Sequence, residues 1–322
     1  MHYIFIVKIF TQIHYLKFNQ RQTKVKNGGS CLHEHKACVI TMCMTDKLQR
    51  ESLQIATWNC NILPRLAEFF AQNAATRAQY IADFLKMHMS GFDIIALQEL
   101  FDSKHRAYIA EALQNCGYGV VTADKASESW GSGLLLAIKK TLSIQRIQFT
   151  PFKKRAMEDI FVRKGILNVQ CTLPYSKLPV VISNLHMQPY KNRWAVRARH
   201  AQMQQLAEAI KQFQQPHIVA GDFNICRIKS PNEFADLLTH TGLSDLTLDK
   251  TCKPISSIAH PNKPKATKGT QPDHIFIKNP AGLLLPQKYW ITNYEEWYGA
   301  RFISDHLPVC AKLGVQYTIY PY

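Results

Sequence analysis

Short apolar runs in this chain repeatedly stop at a residue able to hold a cation or move a proton. Asn59 ends LQIATWN, Glu99 ends DIIALQE and His186 ends VVISNLH. Asp222 and Asn224 follow HIVA in GDFN, and Asp305-His306 precede LPVCAKL. Length and aliphatic or β-branched content mark each run as a buried strand. A core strand gains nothing by ending in a carboxylate, an amide or an imidazole, so several such ends imply one shared crevice beyond the strand tips. Oxygen ligands beside two imidazoles suit a divalent cation and proton transfer at a phosphate ester.

Taken singly, each residue also has an ordinary structural explanation. Glu99 closes a strand expected to be buried, where an unpaired carboxylate is costly. A Mg²⁺ ion held by one or two carboxylates plus amide, water and phosphate oxygens removes that cost, and a lysine or arginine partner would do the same. Asn59 is the candidate amide-oxygen ligand, or else a turn cap. In GDFN, Gly221 allows a tight turn after which Asp222 and Asn224 point the same way; an Asx turn also fits the tetrapeptide. His186 and His306 are the candidate acid and base, since imidazole titrates where phosphodiester hydrolysis needs it. Successive residues on an extended chain face opposite ways, so the aspartate that orients His306 is sought at Asp222 or Asp273, not at adjoining Asp305. Gly131-Ser132-Gly133 lacks the helix and the Lys-Ser/Thr of a phosphate loop and reads as a strand entry.

The elements that would position these groups alternate from residue 53 onward. Thr76 with Gln79 predicts a capping box opening a helix with Ala78, Ile81, Leu85 and Met89 on its apolar face. A strand at 93–98 follows, then a helix capped by Ser103 that runs to about Gln114 and ends at Gly117. Strands are expected near 119–122, 133–138, 166–173, 179–185, 273–277 and 307–313. A helix at 194–213 carries Val196, Met203, Leu206, Ile210 and Phe213 on one face. After GDFN the chain reads as irregular, with 250–272 a surface loop. The pattern predicts an α+β sandwich of two packed mixed sheets flanked by helices, in four layers.

Composition bounds the rest. The 322 residues carry a formal net charge of +16, with residues 1–50 contributing +6 through eight Lys/Arg against two acids. Such an excess suits nucleic acid, anionic lipid or phosphorylated substrates, and equally suits plain solubility. Nine cysteines without a C-x-x-C pair indicate neither a disulfide framework nor a zinc site. No stretch reaches the length of a membrane span, and MHYIFIVKIF makes a poor signal peptide. Residues 1–50 read as a flexible basic extension or a mis-assigned start, 51–316 as one domain and 317–322 as a tail. The location is left open between the cytoplasm and export by a non-classical route.

Together the motifs WN, LQE, NLH, GDFN, PDHIFI and SDHLPV resemble, in this order, those of the endonuclease/exonuclease/phosphatase superfamily of Mg²⁺-dependent phosphoesterases, over about residues 53–315. Within it the details are most similar to neutral and bacterial sphingomyelinases. These details are LQELFD at 97–102, Lys164-Gly165 before a strand, the helix AVRARHAQMQQLAEAI, and the aromatic-rich PQKYWITNYEEWYGARFISDHLPV. The resemblance implies a DNase-like sandwich in which Glu99, with Asn59 beside it, binds Mg²⁺ (Mn²⁺ or Co²⁺ as substitutes). It implies that His186 serves the leaving side, that Asp222 and Asn224 hold water and phosphoryl group, and that His306 is the general base with Asp305 shaping the site. Asp273 matches a D-Y-I position in which His274 replaces the tyrosine.

The expected activity is hydrolysis of a phospholipid headgroup phosphodiester, sphingomyelin first. Tyr289, Trp290, Tyr294, Trp297 and Tyr298 are read either as a peripheral membrane contact around Trp290 and Trp297 or as hairpin packing. Lys191, Arg193, Arg197 and Arg199 are read either as phosphate contacts or as a solvated helix face. No obligate protein partner is evident. A nuclease, an inositol-phosphate phosphatase and a non-catalytic membrane-docking effector are the rivals. The first is disfavoured because NLHMQPY lacks the N-x-Y-x-PN run of abasic-site nucleases.

Overall fold

The computed structural model describes residues 48–63, 73–125, 130–246, 257, 270–293 and 303–318. Two six-stranded mixed sheets face each other. The first contains β1 (Leu48–Ile62), β2 (Ile94–Leu100), β3 (Tyr118–Thr122), β4 (Leu135–Lys139), β11 (Leu284–Ile291) and β12 (Val309–Thr318), in the order β11-β12-β1-β2-β4-β3. The second contains β5 (Ser143–Pro151), β6 (Gly165–Thr172), β7 (Pro179–His186), β8 (His217–Asp222), β9 (Ser244–Asp245) and β10 (Asp273–Lys278), in the order β5-β6-β7-β8-β10-β9. The β1–β2 and β7–β8 pairs are parallel. Helices α1 (Ala74–His88) and α2 (Ser103–Asn115) accompany the first sheet, and α3 (Arg193–Lys211) and α4 (Pro231–Thr241) the second. The expected sandwich of two mixed sheets flanked by helices is what the chain forms.

Strand alternation sorts the core into three layers. Leu53, Ile55, Ile94, Ala96, Val180, Ile182, Ile218, Ala220 and Ile275 fill the space between the sheets. Alternate residues Ala56, Trp58, Ile95 and Leu97 meet α1 and α2, while Leu185, Val219, Phe223 and Phe276 meet α3 and α4. Asp222 and Asp273 continue inward rows by one period-2 step from Ala220 and Ile275, and Asn59 and His186 by two from Ile55 and Ile182, with buried Thr57 and Asn184 between. The row simply turns polar where the sheets open.

Several local expectations are corrected. Thr76 lies inside α1, whose N-cap is Asn73 in the left-handed region with no side-chain cap, so no capping box forms. The α2 cap is Asp102, one residue before Ser103, and its carboxylate accepts from the His105 backbone N–H. Asn192 caps α3, whose buried face starts at Ala195 instead of Val196. The stretch after GDFN is not all irregular: α4 begins with Pro231 in its first turn and stops at Gly242 in the left-handed region. Most of 250–272 lies outside the described residues. No helix among the described residues is long and apolar enough to cross a membrane.

Candidate active site

The parallel pairs set the site, because both put two strand ends at the same edge of their sheet. In β1 and β2 the register shifts between Asn59 and Ile62. Simple alternation would send Glu99 outward with Ile95 and Leu97, against the helices. Its backbone instead adopts φ 55°, a left-handed conformation that costs a non-glycine residue about 1–3 kcal/mol. That conformation and the bulge bring the carboxylate round to Asn59, whose Nδ2 donates to Glu99 Oε1 at 3.0 Å and to Asp222 Oδ2 at 3.0 Å. One amide thus ties the two sheets together at the site.

A second tie lies one layer deeper. Gln98 Nε2 donates to Asn184 Oδ1 at 2.7 Å, and Asn184 Nδ2 donates to the carbonyls of Leu97 and Leu135, each at 2.9 Å. Both side chains are fully buried. Since Gln98 precedes Glu99 and Asn184 precedes His186 by two, this pair fixes the spacing of the metal candidate and the imidazole. Gly221 supplies the remaining geometry of the strand end: at φ 156° its Cα sits so close to β7 that a Cβ would lie 2.1 Å from Leu185 O.

The residues read from sequence as acid, base, metal ligand and phosphoryl contacts of the strand ends meet here. His186 Nε2 lies 3.7 Å from Glu99 Oε1 and 3.5 Å from Asp222 Oδ2. His306 Nδ1 bonds Asp273 Oδ2 at 2.8 Å, and its Nε2 lies 3.9 Å from Asp222 Oδ2. Of the two aspartates considered as its orienter, Asp273 makes the bond. Ser257 donates to the same Asp273 oxygen at 2.6 Å. Asn224, at φ 53°, donates its backbone N–H to Asp222 Oδ1 at 2.9 Å and its amide to Met187 O at 3.0 Å. The segment around His306 is laced to β1, since Trp58 Nε1 donates to His306 O at 2.9 Å and Ser304 Oγ to Asn59 O at 2.6 Å.

Three groups escaped the sequence reading. Lys164, noted only for its place before a strand, is buried with its Nζ 2.8 Å from Asp159 Oδ1 and 3.1 Å from His186 Nε2. Asp159 and Ser257 were not singled out at all. Their one signal was burial of polar residues, which is invisible before the fold is known. Arg199 is also unlike its expectation: it is buried and bonds Glu233, Gln188 O and Tyr190 O, so it neither faces solvent nor meets phosphate. His274, in the tyrosine position, is structural, bonding Ile225 O and stacking on Phe276. Trp290 packs against Phe92, with Lys288 over its ring. Tyr294, Trp297 and Tyr298 lie outside the described residues.

Electrostatics divide the two imidazoles. Burial pushes His186 well below its ordinary pKa, and the charges of Lys164 and His306 push the same way, so it is neutral. Lys164 has protons to donate and none to accept, so Nε2 of His186 is the acceptor in that contact. Burial also opposes a charge on His306, but Asp273, Asp305 and Asp222 outweigh it and hold its pKa well above the ordinary value. Burial, then Asp305, raises Glu99 from 4.5 to about 7. Asp222 is raised by burial and by Asp273.

The residues fit a divalent cation. Four carboxylates, from Glu99, Asp222, Asp273 and Asp305, crowd one cleft, and buried Oδ1 atoms of Asp273 and Asp305 have no partner among the described residues. Donor atoms of Asp222, Asp273 and His306 lie within 4.8 Å of one another. Hard oxygen donors of this kind suit Mg²⁺ or Mn²⁺. Asn59, as it stands, turns its nitrogen to Glu99 and uses Oδ1 to accept from Asn61 N at 3.0 Å. Oxygen ligation by Asn59 therefore requires an amide flip and loss of that bond. Beyond Glu99 and Lys164 a cavity of about 620 Å³ opens between Trp130, Phe161 and Tyr190.

The family model described as Endonuclease/Exonuclease/phosphatase family matches residues 56–306. Sphingomyelinase C from Streptomyces griseocarneus is 20% identical, with 81% of this chain and 99% of that one covered at a TM-score of 0.61. A mutant of beta toxin from Staphylococcus aureus with bound magnesium ions is 18% identical, covering 81% and 99% at 0.61. D. rerio TDP2 complexed with a single-strand DNA product is 19% identical, covering 82% and 99% at 0.61. At these identities the likeness is one of fold. No curated protein sequence matches the chain.

Proposed function

From the premise that this chain belongs to the endonuclease/exonuclease/phosphatase family, whose members are divalent-metal-dependent, we propose that it hydrolyses the headgroup phosphodiester of a phospholipid, sphingomyelin first. The observation that carries the catalytic part is the pairing of a neutral imidazole, His186, with one oriented by a buried carboxylate, His306, across Asp222.

Glu99 is the residue assigned to the metal, with Asp305 beside it. When bound, a divalent ion supplies charge neutralisation at the phosphoryl and departing oxygens. The protein's own groups do the rest. Asp273 fixes the Nδ1–H tautomer of His306 and leaves Nε2 facing the cleft, to take a proton from the attacking water. In its cationic form His306 cannot act as a base, so this role needs the surrounding carboxylate charge offset. Asp222 lies between the two imidazoles and can orient that water. Asn224, its amide bonded to Met187 O, ties the turn after β8 to the end of β7. Lys164, held by Asp159, places a positive charge beside His186, where negative charge develops on the phosphoryl group.

The cavity favours a lipid headgroup over a polyanion. Although the chain is strongly basic, this lining holds Glu99, Glu158 and Asp159 against Lys164 alone, amid Trp130, Phe161 and Tyr190. The basic total favours the nuclease reading, which the same experiment addresses. Sphingomyelin vesicles, nicked and abasic DNA, and inositol phosphates are offered to the protein with Mg²⁺, and His306→Ala is the control. Turnover of sphingomyelin, abolished by the substitution, is expected. Turnover of DNA alone would transfer the site to the nucleases.

A further inference from the structure

We propose that the 3₁₀ turn Met157–Phe161, on the rim of the cleft, is a wedge that seats on an anionic phospholipid bilayer. The inference extends the phospholipid reading, but binding is measurable apart from turnover. Phe161 is 69% exposed, Ile160 56% and Met157 49%. Three large apolar side chains on one turn are costly to leave in water and mark an interaction surface.

The turn is also held rigid, so its exposure is built in. Asp159 points inward and pairs with Lys164 at 2.8 Å. Ala156 N donates to Gln188 Oε1 at 2.8 Å, and Arg163 N donates to Gly131 O at 2.9 Å. The backbone cannot fold these side chains back without breaking the bonds that hold Lys164 at the site.

Charge selects the partner. Lys153, Lys154, Arg155 and Arg163 flank the turn and are exposed. The exposed acid among them, Glu158, is hydrogen-bonded to Tyr190. Apolar side chains ringed by cations match an anionic bilayer, each basic residue strengthening binding about fivefold. Single-stranded nucleic acid would also meet cations, but it is gripped by stacking on flat rings, and of the three apolar side chains on the turn only Phe161 offers one. Phe161, Glu158 and Asp159 line the cavity that reaches Glu99. A bilayer under the turn therefore presents its headgroups at the cleft mouth. Trp290, packed on Phe92, is not exposed in this way.

The test is co-sedimentation of the full chain with vesicles of phosphatidylcholine and phosphatidylserine (7:3), in EDTA so that no lipid is consumed. Wild type is expected to bind, less so in high salt. Met157→Ser/Ile160→Ser is expected to lose at least about tenfold in affinity while hydrolysing a soluble phosphodiester, bis(p-nitrophenyl) phosphate, at the wild-type rate with Mg²⁺. Binding without any turnover would support the wedge and sink the enzymatic reading. Turnover of the soluble ester without vesicle binding, or vesicle binding untouched by the substitutions, would overturn the wedge. Loss of single-stranded DNA binding in the variant, with vesicle binding intact, would overturn it in favour of nucleic acid.

Discussion

Replacing Glu99 by glutamine should stabilise this protein in the absence of metal while destroying its metal site. In the folded chain, burial and Asp305 raise the Glu99 pKa from 4.5 to about 7. Its side chain is 20% exposed, so solvent screening is limited. Each tenfold in proton affinity is about 1.4 kcal/mol, so the protonated form favours folding by about 3 kcal/mol. That contribution is fully present below 4.5 and is lost as pH rises through about 7. Glutamine keeps the acceptor for Asn59 and never ionises. In EDTA at pH 8, Glu99→Gln should therefore melt above wild type, by roughly 6–10 °C for a domain of this size. At pH 4.5 the two should nearly coincide. Calorimetric titration should show divalent-ion affinity of wild type falling about tenfold per pH unit below about 7, and none for the variant. A variant that melts below wild type at pH 8, or a flat affinity profile from pH 5.5 to 7.5, would refute the assignment of Glu99 as a carboxylate kept under strain for a cation.

Gly221→Ala places a Cβ 2.1 Å from Leu185 O, and denaturant melts should show a loss of about 2 kcal/mol or more; Gly91→Ala, with open space around it, should lose little. Lys164→Met leaves Asp159 buried and unpaired and should cost about 3–5 kcal/mol, much of it recovered by adding Asp159→Leu, in a double-mutant cycle read by denaturant. Asp273→Asn removes the largest of the three carboxylate charges that outweigh burial at His306. Its imidazole should then titrate lower by NMR, and kcat should fall about a hundredfold or more with KM little changed.

Much of the site could be read from the chain because it obeys strand alternation. Asn59, His186 and Asp222 were found as polar residues ending apolar runs, and alternation then turns them and Asp273 inward, past Ala220 and Ile275 for the two aspartates and past buried Thr57 and Asn184 for the other two. Glu99 was found in the same way, as a carboxylate ending an apolar run, but alternation alone would have sent it to the wrong face. Its placement comes from φ 55° and a bulge, which no propensity encodes. Lys164 and Asp159 were hidden because a Lys and an Asp five residues apart look like surface until the fold buries both. The β5 strand escaped because it is a sheet edge, exposed along much of its length and without clean alternation. Helix α4 did carry legible start and stop residues, Pro231 and Gly242, and its shortness masked the period.

The most direct measurement is hydrolysis of sphingomyelin in ¹⁸O-labelled water with Mg²⁺, the released headgroup being read by mass spectrometry. In-line attack at phosphorus by a water that His306 activates predicts one labelled oxygen in the phosphorylated headgroup, none in the lipid alcohol, and no product from His306→Ala. A folded protein that cleaves neither this nor any other phosphodiester, or label appearing in the alcohol, would contradict it.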